Sequence, residues 1–317
     1  MHYDVGRILR HPGPPANVPS WPGIQVYDRR LSITLSPETP LVVLYDGAVH
    51  GEGPVWDRLT DRLLWSDVVN RRVLGWYPDG RVETMIDRTY FINGNAFLPD
   101  GHTMVHCEHG RRCISRSAPD AEPVPWITNY SGKRLNSPND VVVAFDGTVW
   151  FSDPTFGIST PKEGCLAEPE LIHRSVYRFD PVSGDLLRMA DFEQPNGLAF
   201  SPDGRMLYVS DTSKATNGEK HEILAFNVTE HGLSNRRFFC RVEKGVPDGF
   251  AIDKRGWIWT TAGDGIHVFE PEHGMELGFI PTPKTAGNCC FGGTGSNRLF
   301  IAAESQLLAI ELSQSAL

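Results

Sequence analysis

No stretch of this 317-residue chain approaches the roughly 20 consecutive apolar residues of a membrane-spanning helix. Met1 to Pro15, MHYDVGRILRHPGPP, also lacks the apolar core of a secretory signal. A cytoplasmic location and no membrane partner are the expectation. Basic charge is scarce: 30 Lys and Arg face 39 Asp and Glu, for a net charge of -9 with no run of like sign. Nucleic acid would need a basic face that this balance does not supply. The six cysteines, at 107, 113, 165, 240, 289 and 290, form no CxxC pair, and without an export signal they read as free thiols. Helix signals are nearly missing. What the chain has in quantity is turn chemistry, 31 Gly and 24 Pro spread along its length, which suits many short strands.

Those turns recur. Six segments share one plan, a polar starter, an apolar run, a turn built on Asp-Gly or similar, and a second apolar strand. The starters are Glu52, Asn95, Asn139, Asn196, Asp248 and Asn288, at spacings of 43, 44, 57, 52 and 40 residues. Each spacing suits a unit of about four strands. The second strands keep the register, as in Thr148-Val-Trp-Phe after Asp146-Gly147 and Met206-Leu-Tyr-Val after Asp203-Gly204. Six such units predict an all-β, six-bladed β-propeller. The last unit is too short for four strands, whereas Leu41 to Tyr45 is an apolar strand with no partner of its own. That N-terminal strand is expected to complete the last blade and close the ring without a free sheet edge. The expected organisation is an arm over 1–40, with residues 11–23 packed outside, and one propeller domain over 41–317.

The first strand of a propeller blade lies innermost, so the six starters point at the central channel. All six carry a side-chain oxygen, although Asn and Asp are poor strand formers. Solvation of a wet channel mouth is one explanation. A hard divalent cation is the other, with Glu52 and Asp248 supplying charge and the Asn oxygens filling the shell. Two units are longer than the rest, by Asp153 to Ser175 and by Asp211 to Glu222, and long connections of this kind often form binding loops or lids.

Other constellations carry less. Ser-Asp pairs at 66-67, 152-153 and 210-211 repeat with the blade and read as strand-end caps rather than parts of a hydrolytic triad. His106 and His109 flank Cys107 and Glu108, but alternate side chains of a strand face opposite ways, so this is no zinc site. Gly292-Gly-Thr-Gly295 is a hairpin turn, since no helix follows it.

Taken in order, Glu52-Gly-Pro-Val-Trp-Asp57, Gly132-Lys-Arg-Leu-Asn-Ser-Pro-Asn-Asp140, Trp150-Phe-Ser-Asp-Pro154, Gln194-Pro-Asn-Gly-Leu-Ala-Phe-Ser-Pro-Asp-Gly204, Val246-Pro-Asp-Gly-Phe-Ala-Ile-Asp253 and Asn288-Cys-Cys-Phe-Gly-Gly293 resemble the gluconolactonase branch of the regucalcin and gluconolactonase family. The resemblance spans roughly residues 40 to 312. It implies a six-bladed propeller with one divalent cation in the channel, calcium first, with zinc, magnesium and manganese as alternatives. It assigns the metal to Glu52, Asn196 and Asp248, gives Asn139 a place on metal or substrate, and makes Arg134 a substrate-holding residue. Thr155 and Phe156 stand where gluconolactonase-like sequences often have Pro and Tyr, which changes the lid.

The implied chemistry is opening of a sugar lactone to the aldonic acid. The cation would polarise the carbonyl, and water would attack with Asp248 as general base or as metal-bound hydroxide. Two rivals share the scaffold: an ester or phosphotriester hydrolase, or another enzyme of secondary metabolism, and a non-enzymatic calcium-binding propeller.

Overall fold

The computed structural model describes residues 23–230 and 232–317. Six antiparallel sheets make up the six blades, four of them built from four consecutive strands. Blade one runs through Gly51–Asp57, Arg62–Asp67, Arg72–Trp76 and Val82–Ile86, its short strands separated by turns such as Pro78-Asp-Gly80. The innermost strands of blades two to six are Ile92–Phe97, Val141–Val143, Pro195–Phe200, Phe250–Ile252 and Ala286–Gly292. The propeller expected from the repeats is the fold observed.

Closure also follows the expectation. Leu41–Asp46 pairs antiparallel with Gln306–Glu311, with Leu41 opposite Ile310 and Val42 opposite Ala309, and supplies the outer strand of blade six. Both ends of the ring are thereby joined through backbone hydrogen bonds, which removes the edge that an open last blade would expose.

The core lies between neighbouring blades. Trp65, Tyr177 and Trp259 are fully buried there, and aromatic pairs bridge blade to blade. Trp56 of blade one stacks on Phe300 of blade six with centroids 5.4 Å apart, and Trp150 of blade three meets Phe200 of blade four edge-on at 5.5 Å. Such contacts add specificity to area burial because ring quadrupoles favour these geometries.

Most of the expected outer arm, residues 11–22, lies outside the described residues. Its continuation does pack on the outside: Gln25–Val26 adds a fifth strand to blade five by pairing with Glu276–Pro281. Leu31 and Leu35 then enter the core shared by blades five and six with no exposed surface. Gly278 admits Leu31, whose Cδ2 lies 2.5 Å from where a Cβ would stand.

One local feature was not expected. The innermost strands of blades one, two, four and six each begin with a register shift, between Glu52 and Val55, Ile92 and Asn95, Pro195 and Leu198, and Ala286 and Asn288. Such bulges re-aim side chains at strand entrances.

Candidate active site

The recurring Ser-Asp pairs build the site without entering its chemistry. Asp67 accepts the backbone N–H groups of Val49 and His50 at 2.9 and 3.3 Å. Asp153 accepts those of Asn136 and Ser137, both at 2.8 Å, and Asp211 those of Glu193 and Gln194 at 2.9 and 3.0 Å. In all three blades the Asp clamps the residues two and three places ahead of the starter. In blades one and four the hydroxyl ahead of it serves the next blade, Ser66 donating to the carbonyl of Asn93 at 2.8 Å and Ser210 to that of Asp248 at 3.0 Å, whereas Ser152 accepts the Asp140 N–H of its own blade at 3.1 Å. Thr261 does the same for Gly287, at 3.0 Å. Their reading as caps agrees with these bonds.

That bonding identifies the equivalent position in each blade as Glu52, Asn93, Asn139, Asn196, Asp248 and Gly287. The six-oxygen ring inferred from the repeats is therefore corrected at two places. Asn93 takes the position assigned to Asn95, and blade six contributes Gly287 rather than Asn288. Asn95 instead spends its amide on the carbonyls of Gly53 and Asn93 and on Ser66, and its Oδ1 meets His106. Asn288 reaches across the channel to Asp140 at 3.4 Å. The bulge is common to blades one, two, four and six, so the difference lies in which residue enters it: Asn93, which precedes a glycine as Glu52 and Asn196 do, rather than Asn95. Glycines after three starters serve close approach: a Cβ on Gly53 would strike the Asn93 carbonyl, one on Gly197 the Asp248 carbonyl, and one on Gly249 the Asn288 side chain.

Glu52, Asn93, Asn139, Asn196 and Asp248 line a single cavity of about 400 Å³ together with His50. Both long connections form its wall. The first, carrying the helical turn Phe156–Ser159, contributes Phe156, Ser159, Thr160 and Glu163, and the second, carrying the 3-10 turn Ser213–Thr216, contributes Thr212, Ala215 and Thr216. Ser137 Oγ accepts the Gly157 N–H at 3.0 Å, and Gln194 Oε1 accepts the Thr155 N–H at 3.0 Å, so the segments that precede two starters also seat the first connection. Arg134 is elsewhere. It sits on the short hairpin of Asn129–Tyr130 and Lys133–Arg134, exposed, with its guanidinium on the carbonyl of Arg111 at 3.1 Å.

The cavity crowds acids. Burial and then the Glu52 carboxylate push Asp248 well above the usual carboxylate range. The same two causes push Asp140, beside Asn139, up to about 7. Burial opposes charge on His50, but Glu163 and Glu52 outweigh it and hold that imidazole up to about 10. The set of two carboxylates and three amides is all hard oxygen, and its repulsion is the kind a divalent cation relieves. These residues fit such an ion. The cluster of Glu270, Glu272 and His273 does not compete with them: the Glu270 carboxylate accepts the N–H groups of Glu272, His273 and Met275, bracing an outer turn. His106 and His109 diverge as expected, to Asn95 and Ser117 and to the Glu163 carbonyl respectively. All six cysteines are unpaired.

The family described as the SMP-30/gluconolactonase/LRE-like region matches residues 50–305. The chain belongs to this family. Among its relatives, the gluconolactonase of Zymomonas mobilis is 32% identical, over 90% of this chain and 85% of its own length. A solved gluconolactonase from Xanthomonas campestris superposes with a TM-score of 0.87 at 47% identity, covering 92% of this chain and 94% of that one. A regucalcin from Agrobacterium tumefaciens, described as a calcium-binding protein, matches at a TM-score of 0.69 and 18% identity over 86% of this chain and 94% of its own, a likeness of fold alone.

Among the lining residues that the sequence reading did not single out are Asn93, His50, Glu163 and Thr212. Asn93 shares the Xaa-Gly step of Glu52-Gly53 and Asn196-Gly197, a signal that was present in the sequence. Glu163 and Thr212 lie on the two long connections already read as lids, but their individual roles, like that of His50, depend on how those connections meet blade one in three dimensions.

Proposed function

We propose that the chain opens a sugar lactone to its aldonic acid with a divalent cation, calcium first, held by Glu52, Asn139, Asn196 and Asp248. Lactone hydrolysis is the reaction class of the family and of its gluconolactonase relatives. The observation that carries the finer reading is the convergence of both acidic starters with three amide starters on one cavity. A cation there would supply Lewis-acid stabilisation of charge growing on the carbonyl oxygen.

The chain's own groups do the rest. Asp248 faces the cavity and, among the described residues, no donor is hydrogen-bonded to its carboxylate. Burial and Glu52 raise its pKa, and once the repulsion from Glu52 is relieved it is the group placed to take a proton from an attacking water. Asn93, Asn139, Thr212 and Thr216 present donors and acceptors for the ring hydroxyls of a polyol substrate. Phe156 and Val246 supply a limited apolar wall against a sugar face. Arg134, assigned to substrate by resemblance, is engaged on Arg111, so Asn139 carries the orienting role in this reading. The site needs no membrane or nucleic acid, and the proposed partner is a small lactone in the cytoplasm.

The test is hydrolysis of five- and six-membered aldonolactones by the chelator-stripped chain, reloaded with single metals, beside aryl esters and organophosphates. Activity restored by a metal on aldonolactones is the expected result. Undiminished rates after stripping would remove the cation from the reaction, and preference for esters or organophosphates would move the substrate class.

A further inference from the structure

The strongest unassigned feature of the cavity is a carboxylate delivered to it from outside the ring. Glu163 belongs to the blade-three connection, yet its Oε1 lies 3.0 Å from Nδ1 of His50, 113 residues earlier and ahead of blade one. The other ring nitrogen of His50, Nε2, lies 3.5 Å from Oε1 of Glu52. An unbroken line of contacts, Glu163 to His50 to Glu52, therefore links the lid to a carboxylate of the proposed cation site. We propose that Glu163 is a positioning residue that acts through His50 to fix the orientation of Glu52. The inference rests on the reading of Glu52 as a cation ligand.

Three observations argue that this arrangement is built. The backbone of Glu163 is anchored independently of its side chain, because His109, buried in blade two, meets the Glu163 carbonyl through Nδ1 at 2.9 Å. The neighbouring Gly164 presses on the Gly157 carbonyl so closely that no Cβ fits, and Cys165 N–H donates to that same carbonyl at 2.9 Å. The backbone is thus set before the carboxylate chooses a partner. That carboxylate lies in the wall of the same cavity as Glu52 and Asp248, and the group it meets there is His50, at 3.0 Å. Finally, Glu52 has few restraints of its own: among the described residues its carboxylate meets, apart from His50, its neighbour's N–H alone, Gly53 to Oε2 at 3.3 Å. With both ring nitrogens occupied, the His50 ring cannot turn without losing a partner, and a fixed ring holds Glu52 in one place. Groups behind a metal ligand tune affinity in this manner.

The experiment uses the full chain. Calcium affinity by titration calorimetry, kcat and KM on an aldonolactone, and thermal midpoint are measured for wild type, E163Q, E163A, H50Q and the E163Q/H50Q double variant. The expected result is calcium binding weakened about 10-fold in E163Q and more in E163A. In both, kcat falls while KM and the midpoint change little. The double variant should be no worse than H50Q alone, since a residue acting through His50 has nothing to act on once His50 is gone. Wild-type calcium affinity in E163Q and E163A, additive losses in the double variant, or a change confined to KM would each overturn the positioning role. Wild type that neither binds a cation nor opens lactones would instead overturn the function on which the inference rests.

Discussion

Oε1 of Glu52 lies 2.5 Å from the point that a Cβ on Gly287 would occupy. Blade six thus gives up a side chain at the position where the other five blades carry Glu, Asn or Asp. The vacancy lets the blade-one carboxylate lean across the blade boundary, with His50 on its other side. Five donors around the channel, rather than six, are a packing consequence of one acid needing room.

Gly287→Ala should therefore damage the site more than the fold. The Cβ would meet the flexible end of a side chain, so the stability cost should stay below about 1 kcal/mol while Glu52 is displaced. Cation affinity is expected to fall about 10-fold or more. A variant that binds calcium as wild type does would show that Glu52 is not held there.

The two acidic starters should separate by role. Glu52→Gln keeps the shape and removes the charge, so its main loss should be in cation affinity. Asp248→Asn should lose cation affinity and also turnover, by about 100-fold or more, since the Asn cannot accept the proton from water. Calorimetry and steady-state kinetics on saturated samples measure both, and Asp248→Asn with more than about a tenth of wild-type kcat would exclude it as the base.

Leu31→Ala tests the outer arm. Leu31 is fully buried against blades five and six, and truncating such a side chain costs about 2–4 kcal/mol. A urea unfolding midpoint should fall accordingly, whereas kcat/KM at low temperature should hold because Leu31 does not line the cavity. An unchanged midpoint would mean that the arm adds nothing to the stability of the ring.

His267 gives the fold a pH dependence away from the site. Its ring meets Glu276 at 2.7 Å and Asp264 at 3.0 Å, and although burial opposes the charge, these carboxylates raise its pKa above 6.5. A raised folded value means that the stabilisation is complete below 6.5 and fades as pH climbs through the folded pKa. Denaturation midpoints from pH 5 to 9 should decline on the alkaline side in wild type and less so in His267→Gln. Parallel profiles would assign the decline to other groups.

The sequence alone determined the architecture. Turn residues and apolar strands recur at a spacing that suits a four-stranded unit, and the short last unit together with the unpartnered Leu41 to Tyr45 pointed to a shared blade. It also determined that Glu52, Asn139, Asn196 and Asp248 face the channel, because an oxygen-bearing residue at a strand entrance is costly unless something uses it. The tertiary structure decided between Asn93 and Asn95, two oxygen-bearing residues of one strand only two positions apart, although the glycine after Asn93 already matched those after Glu52 and Asn196. It decided as well that Gly287 makes room for Glu52, and that Glu163 meets His50 across 113 residues of chain. Periodicity is a property of backbone geometry and can be read along one strand. The meeting of side chains from a lid and a distant blade depends on how the ring brings them together, and no local pattern encodes that.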